Sequence, residues 1–438
     1  MTSTTSPTSR QRVVVIGGGF AGLNFIKHLD DRKFDIILVD RNNFHGFPPL
    51  FYQVASSGLD PTSIAFPFRR ELRSGKHHKA EFHLGEVRSI DVGRQTVTTD
   101  LETISYDRLV IAAGSTNNFF GNDDLLAKVY TLKSTDEAIR IRNEMLDRFE
   151  RAAIEPDPEK RRRLLSFIVI GGGPAGVEIA GALGEMKRYV IRRDYPTLSP
   201  DDVSIILMEG SDRLLRTMSE KSSADAQKGL DALMVDIHLN TIMKSYGDDN
   251  IVTTTDGATY FSEMVIWTAG VQGVQFEWTG AEKPVGGGGR IVTDGFCRVE
   301  GIDNVYAIGD IGIHTSDDMP RGLPQLAQVA IQQGKFLAKL LNTGRADKPF
   351  HYKDKGSMAT IGRNRAVADL PHYHFSGWMA WMAWMFVHLL SLLGMRSKIN
   401  VLLNWMWAYF TYNTSLRLLL RGSRYPERGE MWDGTRPK

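Results

Sequence analysis

The sequence has very little cysteine, since only Cys297 among its 438 residues carries a thiol. One cysteine excludes an intramolecular disulfide framework, an all-cysteine zinc or iron–sulfur site, and a redox-active dithiol pair within the chain. The sequence also lacks a strong charge of either sign, because 53 Lys and Arg residues nearly balance 51 Asp and Glu residues. With a formal net charge of +2, nothing global indicates a nucleic-acid partner.

The N-terminus lacks the features of a targeting segment. Residues 1–12 are rich in Ser and Thr and contain no apolar core of the kind that a secretory signal needs. A buried strand is predicted from Val13, which leaves no room for a long transit peptide, so residues 1–12 are predicted to form a disordered tail. The remaining length and the hydrophobic content of 42% suffice for two or three globular domains.

Glycine, in contrast, is concentrated in two turns of one kind. Each turn follows an apolar, β-branched run, at residues 13–16 and at residues 167–170. Both fit the spacing G-x-G-x-x-G; the members of the first are Gly17, Gly18, Gly19, Phe20, Ala21 and Gly22, and those of the second are Gly171, Gly172, Gly173, Pro174, Ala175 and Gly176. A single such motif is not specific, but a strand–turn–helix context that occurs twice predicts two dinucleotide sites. Two dinucleotides in one chain indicate electron transfer between them.

The first turn is predicted to open a βαβ unit. The helix after it, from about Ala21 to Leu29, would direct its N-terminal amides at phosphate groups. The next strand ends at Asp40, where a carboxylate accepts hydrogen bonds from the ribose of the adenosine half. Later strands end in small residues that permit close approach of a cofactor, namely Ala113 and Gly114 and the glycine before Asp310. Asp310 is a candidate contact for a ribityl or pyrophosphate group.

The second unit repeats this order with one departure. Glu178 is predicted in the first turn of its helix, where a carboxylate ordinarily just complements the helix dipole. Glu209 ends the second strand, but it lies farther from the glycines than the usual ~20 residues. A carboxylate there would repel a 2′-phosphate, so NADH is predicted to be preferred over NADPH. Ala269 and Gly270 end a later strand and are further candidates for nucleotide contact.

The order of glycine turn, acid, Ala-Ala-Gly, second glycine turn and terminal Gly-Asp resembles the two-dinucleotide-binding-domain flavoprotein reductases over roughly residues 12–340. The resemblance implies an α/β fold of two Rossmann-like domains, the second inserted in the first, with FAD at the first turn and NADH at the second. The predicted segments are an FAD-binding part at 12–135, an inserted NADH-binding domain at 136–287, a closing FAD-binding part at 288–350, and a C-terminal membrane-anchoring and dimerisation region at 351–438. The lone cysteine excludes members that pass electrons through a cysteine pair, such as the disulfide reductases and the sulfide:quinone oxidoreductases.

Three further segments, 43–55, 324–334 and 355–363, together with the C-terminal region, resemble the type II, non-proton-pumping NADH:quinone oxidoreductases. The most family-specific string is Ala327-Gln328-x-Ala330-x-Gln332. The resemblance implies that Ala327 and Gln328 lie at the flavin, that Gln328 and Gln332 contact quinone, and that Glu178 lies near the nicotinamide and takes part in proton traffic. Without the resemblance, two amides at i and i+4 indicate only a shared polar helix face.

The C-terminal region is predicted to contain two membrane-seeking helices. Residues 378–393 are apolar apart from His388 and Ser391, but this run is shorter than the ~20 residues that a spanning helix needs. Residues 400–420 are predicted to form an amphipathic helix with Arg417, Arg421 and Arg424 near its end and with a polar stripe of Asn400, Asn404, Thr411 and Ser415. An interfacial anchor, a homodimer interface and a single transmembrane span are the three interpretations, and the first two are compatible. The expected location is peripheral, on the cytoplasmic face of the cell inner membrane.

His388 is the one ionisable group in the first apolar run. A histidine titrates near neutrality, so His388 is a candidate to contact the quinone and protonate it, and a hydrogen-bonded packing histidine is the alternative. The remaining histidines, including His77, His78, His372 and His374, show no metal-ligand spacing, and no metal site is predicted. The predicted function is FAD-dependent oxidation of NADH with two-electron reduction of a membrane quinone, without proton pumping. The alternatives are a soluble NADH-dependent reductase that feeds a small redox protein, and a non-enzymatic membrane redox sensor.

Overall fold

The computed structural model of the chain describes residues 10–73, 80–316, 319–345, 348–411 and 416–419. Most of the predicted N-terminal tail lies outside the described residues, as do His77, His78, Ser415, Arg421 and Arg424. The first strand begins at Gln11 rather than at Val13, so the last two residues of the predicted tail belong to a sheet.

The N-terminal part of the chain alternates short strands with short helices. Its strands are β1 (Gln11–Ile16), β2 (Phe34–Asp40), β3 (Phe44–Gly46), β4 (Ala65–Pro67), β5 (Ala80–Leu84), β6 (Val87–Asp91), β7 (Thr96–Thr99), β8 (Thr103–Ser105), β9 (Arg108–Ile111), β10 (Ser115–Asn117) and β11 (Tyr130–Thr131). Its helices are α1 (Phe20–His28), α2 (Phe51–Ala55), α3 (Phe68–Glu71) and α4 (Leu125–Lys128), with 3-10 turns at Pro48–Leu50 and Pro61–Ser63.

The middle part contains the longest helix and the second set of parallel strands. Its helices are α5 (Thr135–Ile154), α6 (Pro158–Leu164), α7 (Pro174–Glu185), α8 (Ile191–Asp194) and α9 (Glu220–Asp231), with a π turn at Met186–Val190 and 3-10 turns at Pro200–Asp202 and Gly287–Gly289. Its strands are β12 (Ser166–Ile170), β13 (Ser204–Met208), β14 (Asp236–His238), β15 (Met243–Tyr246), β16 (Ile251–Thr254), β17 (Thr259–Phe261), β18 (Met264–Trp267), β19 (Val271–Gly273) and β20 (Glu277–Thr279).

The last part returns to the first sheet and then forms a separate C-terminal layer. Its strands are β21 (Ile291–Val292), β22 (Val305–Ala307), β23 (Gly312–Ile313), β24 (Ser357–Thr360), β25 (Ala366–Leu370) and β26 (Tyr373–Gly377). Its helices are α10 (Ala327–Thr343), α11 (Trp378–Ser391) and α12 (Met395–Thr411), with a 3-10 turn at Gly309–Ile311.

Two five-stranded parallel sheets form the framework, with the orders β22-β9-β1-β2-β5 and β11-β18-β12-β13-β14. β12 is buried throughout and β1 is buried and apolar from Val13 onward, as expected of parallel strands covered on both faces. Each central strand leads into one glycine turn, at the point where the strand order changes direction and where open α/β sheets bind ligands. The predicted α/β fold of two Rossmann-like domains is confirmed, and the second domain is inserted in the first.

The inserted unit differs from the predicted span of 136–287 at both ends. β11 pairs with β18, so the chain joins the second sheet before residue 136. β20 pairs with β6 of the N-terminal part, so the chain has left the inserted unit well before residue 287. Strands of two or three residues carry no periodic pattern in the sequence, and their sheet is decided by tertiary contacts.

The two glycine turns have the same construction. Gly17 and Gly171 have φ values of 96° and 107°, which residues other than glycine rarely adopt. A Cβ atom on Gly22 would collide with the carbonyl oxygen of Gly17, and one on Gly176 would collide with that of Gly171. The third glycine of each motif therefore permits close packing of the helix on its own turn.

The C-terminal layer places α11 against the antiparallel sheet β24-β25-β26. α11 buries Ala380 and Trp384, and α12 buries Val401. The outer faces of both helices are apolar and exposed, with these side chains: Trp378, Met379, Met382, Phe386, Val387, Leu390, Met395, Ile399, Leu402, Leu403, Met406, Trp407 and Phe410. We call this set the outer apolar face. In the part of the chain that the structure describes, none of the helices combines the length and the hydropathy that crossing a bilayer requires.

The second C-terminal helix differs from the predicted span of 400–420. α12 begins at Met395, directly after Gly394 with its φ of 71°, and it ends at Thr411. Arg396 and Lys398 interrupt the apolar pattern without interrupting the helix, which is why the sequence predicts too late a start. The predicted polar stripe is not uniform, because Asn400 is exposed whereas Asn404 is partly buried.

Candidate active site

A cleft of about 1400 Å³ lies at the carboxyl ends of the strands of the first sheet. This volume exceeds the roughly 300–1000 Å³ that drug-sized ligands occupy, so it suits a dinucleotide. Most of the predicted FAD-binding residues line it, namely Gly17, Gly18, Gly19, Phe20, Ala21, Asp40, Ala113, Gly114, Asp310 and Ala327. Gly22 packs beneath the turn instead, and Gln328 is not among the residues that line the cleft.

Asp40 fixes the first glycine turn. Its carboxylate accepts the N–H of Gly18 at 2.7 Å and the N–H of Asn42 at 2.8 Å. Burial raises the pKa of Asp40, and these two amide hydrogen bonds oppose that rise. A Cβ atom on Gly19 or Gly114 would meet no atom within 4 Å, so the backbone there is open toward a ligand. This cradle fits the pyrophosphate and ribose of FAD.

Asp310 is held by two residues that the sequence reasoning missed. Ser115 donates to Asp310 from its hydroxyl at 2.8 Å, and Lys133 donates to that hydroxyl from Nζ at 3.0 Å. Burial lowers the pKa of Lys133, while the Asp310 carboxylate opposes this. Ser115 begins the short strand β10 and Lys133 follows the short strand β11. Neither strand carries a motif, so no pattern in the sequence identifies these two residues.

Gln328 and Gln332 share one face of α10, as the i and i+4 spacing predicts, but both amides bind backbone outside the cleft. Gln328 donates to the carbonyl of Gly356 at 2.9 Å and accepts the N–H of Lys355 at 3.2 Å. Gln332 donates to the carbonyl of Lys353 at 2.9 Å and accepts its N–H at 3.0 Å. The structure thus gives these two amides backbone partners, and the contact with quinone stays a prediction.

The buried amide of α10 is Gln333, which the sequence reasoning also missed. Its side-chain oxygen accepts the N–H of Gly309 at 2.7 Å and so fixes the turn that precedes Asp310. Gln333 lies one residue beyond Gln332, on the face that also buries Val329, Ala330 and Leu337. The helical spacing of these apolar residues was the pattern that could have identified it.

Glu209 repeats the role of Asp40 in the second unit. It accepts the N–H of Gly172 at 2.5 Å, and it also accepts the N–H and the hydroxyl of Ser211 at 2.8 Å and 2.7 Å. The two residues are 37 positions apart, against 22 between Gly18 and Asp40. The extra length is the helix that continues through the π turn into α8, which confirms the predicted lengthened helix.

Gly173 is open at the second glycine turn, whereas Gly270 is covered. A Cβ atom on Gly173 would meet no atom within 4 Å, whereas Ala269 packs under Gly171. Gly270 has a φ of 75°, and the ring of Phe120 lies against the position where its Cβ would be. Phe120, which is 69% exposed and has a positive φ, is a candidate nucleotide contact that the sequence did not reveal.

Glu178 lies deeper than predicted. α7 begins at Pro174, so Glu178 lies beyond the first turn of the helix. The prediction that Glu178 lies in the first turn and complements the helix dipole is therefore wrong. The residue is buried, and the Thr360 backbone amide hydrogen-bonds its carboxyl group. Burial raises the pKa of Glu178 to about 8 against that hydrogen bond, so the carboxyl is mostly protonated at neutral pH. A buried, protonated carboxyl is suited to general acid chemistry.

His388 packs against a tryptophan of its own helix, and its ring is neutral at pH 7. Its ring stacks on Trp384 with centroids 3.9 Å apart, and Nδ1 donates to the Trp384 carbonyl at 2.7 Å. Burial lowers the pKa of His388 to about 4, so the predicted titration near neutrality is wrong. The ring also lies 6.3 Å from Phe47, and Phe47 lies 5.6 Å from Phe20 in the wall of the FAD cleft.

Comparisons with known proteins identify the family. The family described as pyridine nucleotide-disulphide oxidoreductase matches residues 11–334, and the NDH2 C-terminal domain matches residues 354–411. The type II NADH:quinone oxidoreductase NdhA of Mycobacterium tuberculosis is 36% identical over 414 residues, which cover 90% of this chain and 86% of that protein. This chain belongs to the type II NADH:quinone oxidoreductase family.

A second relative agrees with this membership, and a solved structure shares the fold. The type II NADH:quinone oxidoreductase Ndh of the same organism is 35% identical over 418 residues, covering 92% of this chain and 89% of that protein. The structure of NDH2 from Plasmodium falciparum in complex with NADH has a TM-score of 0.85 at 20% identity, covering 94% of this chain and 100% of that one. At that identity the likeness shows a shared fold.

The chain has no pair of cysteine thiols that could carry electrons, because Cys297 is its only cysteine. Cys297 lies buried in the first domain, and burial raises its pKa to about 12. Its thiol is therefore protonated at neutral pH and unreactive. The matched NDH2 C-terminal domain spans β24 to the end of α12, which includes the outer apolar face.

Proposed function

We propose that this chain oxidises NADH with FAD as its cofactor and reduces a membrane quinone by two electrons, without pumping protons. The observation that carries the proposal is the match to a type II NADH:quinone oxidoreductase over 90% of the chain. Two nucleotide cradles of matching construction, on two sheets of one chain, support it.

The first cradle is proposed to hold FAD. When bound, FAD accepts a hydride from NADH and passes two electrons to the quinone. The amides of the first glycine turn and the N-terminus of α1 hold the pyrophosphate, and Asp40 accepts the ribose hydroxyls. Asp310, positioned by Ser115 and Lys133, holds the ribityl side. The N-terminus of α10 at Ala327 faces the same cleft and favours negative charge there.

The second cradle is proposed to hold NADH. Gly172 and Gly173 admit the pyrophosphate, and Glu209 accepts the ribose hydroxyls while its charge repels a 2′-phosphate. Glu178 stands beyond this cradle and, being protonated at neutral pH, supplies a proton near the reacting rings.

The quinone head is proposed to approach the FAD cleft beside Phe47 and His388. These two rings join the cleft wall to α11 and thereby to the outer apolar face. His388 contributes shape and hydrogen bonding as a neutral ring. Gln328 and Gln332 act by holding residues 353–356 against α10.

The outer apolar face is proposed to rest on a membrane surface. Its tryptophans and the cations Arg396 and Lys398 fit the interface between headgroups and acyl chains. The proposed location is the cytoplasmic face of the cell inner membrane. A homodimer through part of the same face is compatible with this placement.

The test of the function is steady-state kinetics with a soluble quinone. We expect quinone-dependent oxidation of NADH and little oxidation of NADPH, and we expect Glu209→Gln to raise the NADPH to NADH ratio of kcat/KM by about tenfold or more, because a like-charge contact is removed. The control is Asp236→Asn, an exposed acid on the next strand. A chain that binds FAD without quinone-dependent turnover would contradict the proposal.

Each of the two alternative functions makes a prediction that separates it from the proposed one. A soluble reductase for a small redox protein has no need of the outer apolar face, so it predicts no binding to vesicles. A non-enzymatic redox sensor needs NADH binding without turnover, and the kinetic test separates that case directly.

A further inference from the structure

The face of α7 that meets the C-terminal layer contains two carboxyl groups. Glu178 and Glu185 are seven residues apart, which places them on one side of the helix about 10 Å apart along its axis. Gly181 lies between them and packs against the backbone of Gly362, so α7 touches the turn after β24 directly. The end of β24 and this turn each bind one acid, because the Thr360 amide binds Glu178 and the Arg363 amide binds Glu185.

The hydroxyl of Tyr52 lies near both carboxyls. It accepts hydrogen bonds from the Thr360 hydroxyl and from the Gln53 amide, each at 2.9 Å, and so retains its own proton for donation. Burial raises the pKa of Tyr52, and the charges of Glu178 and Glu185 add to this rise. The phenol therefore stays neutral, and it can give up its own proton only when it takes up another.

Two cavities meet at Glu185. The inner one, of about 190 Å³, is lined by Tyr52, Gln53, Ala182 and Trp405 as well as by Glu185. At about 10–15 Å³ for each enclosed water, it has room for a short water chain. The outer one, of about 270 Å³, is lined by Glu185 together with the exposed residues Arg188 and Arg365. Glu185 thus lies where the two cavities meet. Both cavities are lined partly by exposed residues, and the inner one also reaches Tyr52.

The helix also changes form at this point. The π turn at Met186–Val190 follows Glu185 immediately, and single π turns are frequent at functional sites. The wider turn directs Tyr189 into the lining of both cavities. Glu178 lies in neither lining, so Glu185 is the more accessible of the two acids.

We propose that Glu185 is the outer member of a two-carboxyl relay that delivers a proton from solvent through the inner cavity and the Tyr52 hydroxyl to Glu178. This inference rests on the proposed function. Oxidation of NADH by quinone consumes one proton, because the hydride supplies two electrons and one proton whereas the quinol gains two protons. Glu178 gives its proton to the reduced acceptor, Tyr52 passes its proton to Glu178 and takes one from the inner cavity, and Glu185 replaces that one and is reprotonated from the outer cavity.

The charges around Glu185 set the sign of its pH dependence. The facing cations are Arg188, Arg363, Arg365 and Arg417, and the facing phenols are Tyr52, Tyr189 and Tyr409. Glu185 keeps part of its surface exposed, but its carboxyl group is buried. This burial raises the pKa of Glu185 to about 7, and the amide hydrogen bond and the charge of Arg363 oppose the rise. Glu185 is therefore protonated below pH 7 and loses its proton as the pH rises through about 7.

The test is anaerobic stopped-flow kinetics of the flavin in Glu185→Gln, with Glu282→Gln as the control at an exposed loop position. We expect NADH to reduce the flavin at the wild-type rate, since hydride transfer consumes no proton. We expect reoxidation by a soluble quinone to slow by about tenfold or more, toward the 10²-fold that loss of a positioned proton-transfer group typically costs. The fall in rate between pH 6 and pH 8 should be smaller in Glu185→Gln, and the solvent deuterium isotope effect on reoxidation larger.

Flavin content is measured first, and Tyr52→Phe provides the second variant if Glu185→Gln fails to bind FAD. Reoxidation at the wild-type rate with the wild-type pH profile in both variants overturns the relay and leaves the proposed function intact. A wild-type protein that quinone does not reoxidise overturns the proposed function and the relay together.

Discussion

At the scale of single residues, Asp40 and Glu209 show how one carboxylate organises a nucleotide cradle. Each accepts the N–H of the second glycine of its motif, and each also binds a residue two positions beyond itself, Asn42 in one case and Ser211 in the other. These hydrogen bonds hold the glycine backbone in place for a pyrophosphate. A carboxylate that accepts charge-assisted bonds from amides contributes more than a neutral acceptor would.

We expect Asp40→Asn to weaken FAD binding. The side-chain amide of the variant offers one weaker acceptor in place of a carboxylate. A charge-assisted hydrogen bond contributes about 1.5–3 kcal/mol, so its loss predicts roughly a 10- to 100-fold rise in the dissociation constant for FAD. Fluorescence titration of the apoprotein with FAD measures this. Asp35→Asn, an exposed acid on the same strand, is the control and should bind as the wild type does; equal affinities for both variants would contradict the assignment.

Glu178 makes stability depend on pH. Its pKa of about 8 lies above its ordinary value of 4.5, so the folded protein binds a proton that the unfolded chain releases. This contribution is fully present below about pH 4.5 and is lost as the pH rises through 8. We expect the melting temperature to fall less between pH 5.5 and pH 8.5 in Glu178→Gln than in the wild type, by at least about 2–4 °C.

Differential scanning calorimetry of the FAD-loaded proteins checks this expectation. Glu282→Gln, at an exposed position, should behave like the wild type at every pH. Parallel curves for Glu178→Gln and the wild type would show that this carboxyl is ionised in the folded protein.

Single residues were predictable where a motif fixes them and were missed where only the fold does. The glycines and Asp40 follow from spacing, because the turn geometry admits few alternatives. Ser115 meets Asp310 across 195 residues of chain, Lys133 meets Ser115 across 18, and Tyr52 meets Thr360 across 308. No local pattern encodes such meetings. His388 was found as an unusual group in an apolar run, but its low pKa depends on burial that only packing determines.

At the scale of elements, the C-terminal helices present apolar side chains outward, which ordinary surface helices do not. α11 and α12 use only a few residues, such as Trp384 and Val401, to pack against the rest of the protein. Leu403 and Trp407 are 56% and 61% exposed. Water is a poor solvent for such a face, so a bilayer or a second copy covers it in our proposal.

We expect the double variant Leu403→Glu and Trp407→Glu to lose binding to anionic vesicles while it keeps soluble-quinone turnover. Two carboxylates on the outer apolar face are repelled by anionic lipid and resist burial in the interface. Vesicle sedimentation measures binding, and Leu101→Glu, at an exposed position 68% accessible to solvent, is the control. Undiminished sedimentation together with a shift from dimer to monomer would assign the face to a homodimer instead.

Element boundaries were predicted closely for α1 and α11 and failed at α12 and at short strands. The lengthened helix after the second glycine turn was predicted, but its π turn was not, because a single widened turn leaves no mark in the apolar spacing. β11 and β20 changed the predicted ends of the inserted unit because strands of two and three residues are placed by their partners.

At the scale of the whole molecule, the two nucleotide cradles and the C-terminal helices define the path that we propose for electrons, from NADH through FAD to the quinone. The inserted domain carries the proposed NADH cradle, and the aromatic contacts of Phe20, Phe47 and His388 lead from the FAD cleft to the C-terminal helices. The order of motifs along the chain was enough to predict this topology. The placement of Gln328 and Gln332 away from the cleft was not predictable, because a shared helix face does not reveal what it faces.

The absorbance of the flavin in the purified protein tests the central claim most directly. NADH is added without oxygen, and a soluble quinone is added afterwards. The account predicts bleaching of the flavin band with NADH, much less with NADPH, and recovery of the band when the quinone arrives. A flavin that NADH bleaches but quinone does not restore would contradict the claim that this chain passes electrons from NADH to a quinone.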